Sequence, residues 1–191
     1  MNLPNRLTLL RIGLSFLLIL LLLSPGFPAK AGALAVFVLA SLTDLWDGRL
    51  ARRTGQVTDF GVLMDPIADK ILVLSAFLAF VQLNVAPAWM VVAIAAREFL
   101  VTGLRLFALG KGQVLPAEAA GKHKTVSQMV AISVTLIVLV LRETVLDWPD
   151  RARWLAGGEA GIWWLMLITV VLTLTSGISF LWRHRKIILN L

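Results

Sequence analysis

Apolar residues run along this chain in six long blocks, separated by short stretches rich in glycine, proline and charge. The blocks cover residues 7–23, 31–52, 61–83, 87–109, 124–141 and 161–182. An α-helix needs roughly 18–20 apolar residues to cross the hydrocarbon core of a bilayer, and these blocks reach or approach that length. The breaks are helix punctuation: "SPGFP" ends the first block, and "RTGQVTDF" turns the chain between the second and third. The pattern predicts an all-α polytopic membrane protein, with six transmembrane helices in one bundle and residues 1–191 as a single domain. No low-complexity linker, charge block or internal repeat divides it.

Composition narrows the class. The chain is 59% hydrophobic and 15% charged, with a mean hydropathy of +0.86, too apolar for an ordinary soluble domain. It has no cysteine, which excludes disulfides, thiolate metal sites and cysteine nucleophiles. A net charge of +7 would point to nucleic acid in a soluble protein. Here basic residues flank apolar helices and face anionic headgroups, so the partner expected is membrane lipid and not nucleic acid. With the N-terminus inside, 14 of the 18 Lys and Arg fall on the cytoplasmic side; Lys30, Arg142, Arg151 and Arg153 fall outside. That bias places both termini in the cytoplasm of what is expected to be a bacterial cytoplasmic membrane. The basic start, the apolar run and "AKA" at residues 29–31 also resemble a secretory signal. The run is long for one, and Pro28 and Lys30 sit badly at a cleavage site, so a first membrane helix is the preferred reading.

Against this background, residues 41–70 hold five aspartates. Asp44, Asp47, Gly48 and Ala51 share an arc of about 100° on the second helix. Gly61, Asp65 and Asp69 are spaced four apart and form one stripe on the third. The hairpin topology brings both sets near the cytoplasmic surface. A carboxylate at membrane depth costs roughly 2.5–3.5 kcal/mol, and four together repel one another. Two divalent cations balance four carboxylates, and oxygen-only ligands favour Mg²⁺ or Mn²⁺. Two alternatives stand beside the metal site. The acids could pair with Arg49, Arg52, Arg53 and Lys70 in a solvated helix-end network, or form an ion or proton pathway. The pathway is weakened because Glu98 is the only acid between Asp69 and Glu118.

Asp44-x2-Asp47-Gly48-x2-Ala51-Arg52-x8-Gly61-x3-Asp65-x3-Asp69 resembles the signature of the CDP-alcohol phosphatidyltransferases at every fixed position. Eight fixed residues at these spacings would coincide by chance on the order of once in 10⁹ starts. The resemblance implies six transmembrane helices, a dinuclear metal site, a homodimer, and cleavage of a CDP-linked lipid donor with release of CMP. It also implies the roles. Asp44, Asp47 and Asp65 hold the metals, Asp69 adds a ligand oxygen and serves as base, and Asp47, Gly48, Ala51, Arg52, Gly61 and Asp65 receive the donor. Asp59 lies outside the motif and reads as a loop or capping acid.

"NLPNRLTLLRI" at residues 2–12, "AREFLVTGLR" at 96–105 and "GKHKT" at 121–125 resemble the phosphatidylglycerophosphate synthase branch. That branch implies CDP-diacylglycerol as donor and sn-glycerol 3-phosphate as acceptor; a cardiolipin synthase of the same superfamily is the alternative. The residues themselves agree with an anionic acceptor. Arg97 and Arg105 are about 80° and roughly 12 Å apart on the fourth helix, and Lys122 and Lys124 precede the fifth on the same side. Such cations would hold a phosphate. Arg97 lies deep enough to need a partner, and Glu98, about 100° away, is not an obvious one. His123 reads as a surface residue, and the tryptophans read as interfacial anchors. The rival classes are a membrane cation carrier and a noncatalytic lipid-binding relative.

Overall fold

The computed structural model describes residues 3–54, 59–113, 115, 119–144 and 150–189. At residues 3–7, 44–54, 59–63, 65–66, 119–122 and 186–189 it describes the backbone alone. Among the described residues the chain is all-α, with six helices: α1 Leu3–Leu23, α2 Phe27–Thr54, α3 Asp59–Gln82, α4 Ala88–Gly110, α5 Ala119–Thr144 and α6 Arg151–Leu189. The first four match the predicted blocks to within a few residues. α5 starts five residues before its predicted start at 124. α6 starts ten residues before its predicted start at 161 and runs seven past its predicted end at 182. The predicted outer loop over 142–161 is therefore mostly helical, with only 145–149 outside the described residues.

The helix ends follow local chemistry. After α1, Gly26 takes φ 91°, and Pro28 enters the first turn of α2, where its missing N–H costs nothing. Lys30 then reaches back: its Nζ donates to the carbonyls of Leu22 and Ser24, capping the end of α1. α3 closes when Asn84 takes φ 56° and the N–H of Val85 bonds the Phe80 carbonyl at 2.8 Å. Pro87 then initiates α4. Gly112, with φ 75°, closes α4, and Gln113 N–H returns to the Ala108 carbonyl at 2.9 Å.

α3 lies at the centre, touching α1, α2, α4 and α5; α6 packs on α4 and α5. One core joins Leu18 and Leu22, Phe37, Phe77 and Phe80, Met90 and Ile94, Ile132 and Leu136, and Met166. Its close approaches use small residues: Ala33, Ala40, Ala76 and Ala131 are fully buried. The outward surface carries Phe16, Leu20, Val92, Phe99, Trp164, Ile178 and Trp182, all exposed, which suits a lipid environment. The segments 123–144 and 151–185 are each long and apolar enough to cross a membrane, while 8–23 and 27–43 are shorter apolar stretches.

Candidate active site

Asp69 sits on α3 with its side chain 49% exposed, facing a small cavity. Its position on that face is set by α1, which packs along α3. Arg11, with a side chain only 1% exposed, donates from Nη1 to Asp69 Oδ1 at 2.5 Å. Ser15 Oγ donates to the Arg11 carbonyl at 2.8 Å, one turn back along α1. Sequence reasoning counted Arg11 only as a flanking cation. The signal for more was present, because an arginine inside an apolar helix with no local acid needs a partner from elsewhere.

The cavity measures about 140 Å³. α3 lines it with Asp69, Lys70, Val73 and Leu74, α4 with Glu98, and α5 with Lys124, Thr125 and Gln128. Lys124 and Gln128, four apart, share a face of α5, as helix spacing requires. Glu98 is 7% exposed and Lys124 8%. Glu98 Oε1 accepts from Lys124 Nζ, from Arg97 Nη1 at 3.2 Å and from Gln128 Nε2 at 3.4 Å. Glu98, not an obvious partner for Arg97 from helix geometry, is thus one of its partners. The Cα–Cβ directions diverge, but a long arginine side chain can turn back far enough to meet its neighbour. Arg97 also donates from Nη2 to Ser176 Oγ on α6 at 2.9 Å.

α6 makes that reach possible. A Cβ added to Gly177 would lie 2.8 Å from Arg97 Cγ, so only glycine leaves the arginine its path. Farther along α4, the Arg105 guanidinium stacks 5.2 Å from the centroid of the Phe180 ring, which in turn lies against His184. Of the predicted acceptor cations, Lys124 lines the cavity with Asp69, Arg97 reaches it through Glu98, and Arg105 faces α6. The side chain of Lys122 lies outside the described residues. Lys70, Thr125 and Gln128 are cavity residues that sequence reasoning did not assign to the acceptor. His123 is exposed, as expected.

The remaining motif positions are placed by backbone only. Asp44, Asp47, Gly48, Ala51 and Arg52 lie on the last turns of α2, and Gly61 and Asp65 on the first turns of α3; their side chains lie outside the described residues. Both sets are therefore helical, which the spacing argument required. Among the described residues no three His, Asp or Glu side chains converge as a metal site. The donor chemistry nonetheless fits a hard divalent cation. The motif offers only carboxylate oxygens, and the one described member, Asp69, is half exposed and accessible to a cation.

A family model described as CDP-alcohol phosphatidyltransferase matches residues 1–175. The chain is 43% identical over 169 residues to the CDP-diacylglycerol–glycerol-3-phosphate 3-phosphatidyltransferase of Bacillus subtilis (strain 168), covering 81% of this chain and 87% of that protein. It is 38% identical over 187 residues to the protein of the same name from Rickettsia bellii, covering 97% and 96%. A probable phosphatidylglycerophosphate synthase of Mycobacterium tuberculosis (strain H37Rv) is 43% identical over 141 residues, covering 72% and 67%.

Proposed function

The chain belongs to the CDP-alcohol phosphatidyltransferase family, and we propose that it transfers the phosphatidyl group of CDP-diacylglycerol to sn-glycerol 3-phosphate, releasing CMP. The observation that carries this reading is the shared cavity. The last acid of the motif, Asp69, opens onto the same 140 Å³ space as Lys70, Lys124 and Thr125. A hydroxyl to be deprotonated and a phosphate to be held can be presented there together.

Asp44, Asp47, Asp65 and Asp69 would hold two divalent cations, Mg²⁺ or Mn²⁺. Bound there, the metals supply charge neutralisation for the donor diphosphate and the departing CMP. The chain's own residues do the rest. Gly48, Ala51 and Gly61 leave room for the nucleotide, and Arg52 contacts its phosphates. Asp69, oriented by Arg11, accepts the proton of the attacking glycerol hydroxyl. The new bond forms between that oxygen and the lipid-side phosphorus, and the bond from that phosphorus to CMP breaks. Arg97, Arg105, Lys122 and Lys124 hold the acceptor's phosphate, with Lys70 at the cavity wall.

Six transmembrane spans with both termini cytoplasmic complete the reading, the site lying at the inner face. There the acyl chains stay in lipid while nucleotide and glycerol phosphate arrive from water. The homodimer implied by the family resemblance belongs to the same reading, and its mass in nanodiscs tests it.

The decisive experiment is an acceptor panel with purified protein, CDP-diacylglycerol and Mg²⁺, measuring CMP and lipid product together. Glycerol 3-phosphate is expected to be the preferred acceptor, excess chelator to abolish CMP release, and Mg²⁺ or Mn²⁺ to restore it. Preference for phosphatidylglycerol would make the protein a cardiolipin synthase. Metal flux without CMP release would make it a carrier.

A further inference from the structure

Glu98 is a buried acid that the transfer chemistry does not use, yet it sits where the acceptor's phosphate must find its cations. Lys124, Arg97 and Gln128, from two helices, converge on its single oxygen Oε1. The cluster is almost entirely out of solvent: Glu98 is 7% exposed, Lys124 8% and Gln128 3%. Two cations around one carboxylate leave one formal positive charge. On its open side the same group borders the cavity through Glu98, Lys124 and Gln128, opposite Asp69 and Lys70. On its closed side it continues into α6, through Arg97 to Ser176 and through Gln128 Nε2 to Thr173 Oγ1 at 3.5 Å. Arg97 is therefore held from behind, and the carboxylate is the anion that satisfies both cations in front.

We propose that Glu98 is a built-in substitute for the acceptor's phosphate: it holds Lys124 and Arg97 in place in the empty site, and an entering phosphomonoester must take those cations from it. The inference rests on the acceptor reading above and adds a specificity device to it. A carboxylate offers one negative charge, whereas a phosphomonoester offers up to two and three terminal oxygens, enough to engage Lys124, Arg97 and the Gln128 amide at once. A neutral alcohol brings nothing to exchange for Glu98. A phosphodiester brings one charge on two oxygens and no better bond than the one it must break. Glu98 thus makes the site discriminate by phosphate charge as well as by size, at the cost of weaker binding for the correct acceptor.

The sign of the expected effect is unusual. Removing a residue from the pocket should tighten the acceptor. Glu98→Gln keeps the shape and one accepting oxygen but removes the competing charge. KM for glycerol 3-phosphate and the inhibition constant of inorganic phosphate should each fall about tenfold, the size of one charge-assisted bond. KM for CDP-diacylglycerol should not move, and kcat should not rise. Lys124→Gln, measured alongside, tests the underlying reading, since it should raise acceptor KM and weaken phosphate inhibition. If Lys124→Gln changes neither, the acceptor pocket lies elsewhere and both readings fail. If Lys124→Gln weakens the acceptor but Glu98→Gln leaves it unchanged or weakens it too, Glu98 only positions the cations and the substitution idea is wrong. Should Glu98→Gln fail to accumulate because it buries unpaired charge, Glu98→Asp is the alternative. It keeps the charge but draws it back by about one C–C bond length from Lys124. The same direction of change is then required of it, and a rise in both constants overturns the proposal.

Discussion

At the residue scale, the Arg11–Asp69 pair fixes the proposed base. A half-exposed aspartate on a helix samples several rotamers, and a base must lie within hydrogen-bond reach of the proton it takes. Arg11 removes that freedom by gripping Oδ1 from a fully packed position in α1. Two variants separate the roles. Asp69→Asn nearly preserves shape but cannot accept the proton, so kcat should fall roughly 10²-fold or more. Arg11→Ala leaves the carboxylate in place but unguided. Loss of a charge-assisted bond to a half-exposed group is worth about 1.5 kcal/mol, so kcat should fall roughly tenfold. Arg11→Lys should recover part of that loss, because it keeps a charge without the guanidinium's fixed geometry. Steady-state rates at saturating substrates, set beside thermal midpoints of the three variants, check this. If kcat tracks the midpoint alone, Arg11 serves only the fold. The helical placement of the aspartates was legible in the sequence because a motif at helical spacing is local information. The pairings of Arg11 with Asp69 and of Glu98 with Lys124 were not, because those partners lie 58 and 26 residues away.

At the element scale, α6 departs furthest from expectation. Its 39 residues would run about 58 Å, nearly twice a bilayer's hydrocarbon thickness. Gly157, Gly158, Gly161 and the nearby charges read as a loop, since each glycine costs a helix about 1 kcal/mol. Packing overrides that cost. At Gly158 a Cβ would stand 3.3 Å from Val138 Cγ1, so the glycine lets α6 close on α5. One step on, Glu159 reaches Arg142 at 2.6 Å. A residue that weakens an isolated helix here brings two helices into contact, and periodicity alone cannot distinguish the two. Gly177 makes the same point nearer the site and is testable. Gly177→Ala should gain about 1 kcal/mol of helix propensity yet push Arg97 off its path to Ser176. Acceptor KM should rise several-fold while donor KM holds. Equal changes in both would mean that Arg97 serves the bundle generally and not the acceptor.

At the scale of the whole molecule, orientation in the membrane decides whether this site can work. The donor's nucleotide and the acceptor are water-soluble groups made inside the cell, so the cavity must open to the cytoplasm. Both the basic bias and the placement of Lys124 near the start of α5 favour that side. The chain suits a direct test because it contains no cysteine, so a single introduced thiol is the only one labelled. Gln113, exposed after α4, should lie inside, and Asp150, exposed before α6, should lie outside. An impermeant maleimide should therefore label Asp150→Cys, but not Gln113→Cys, in right-side-out vesicles. Inverted vesicles should give the opposite pattern, and detergent should expose both. Labelling of Gln113→Cys from the outside would reverse the topology. The aspartates would then face a compartment without CDP-diacylglycerol synthesis or glycerol phosphate, and the proposed transfer could not be the reaction the protein performs in the cell. Among the described residues, α5 is the one helix between the two positions, and its segment 123–144 is long enough to cross once. Labelling of both from the same side would mean that α5 does not span, and six transmembrane helices would have to be reduced to a smaller number.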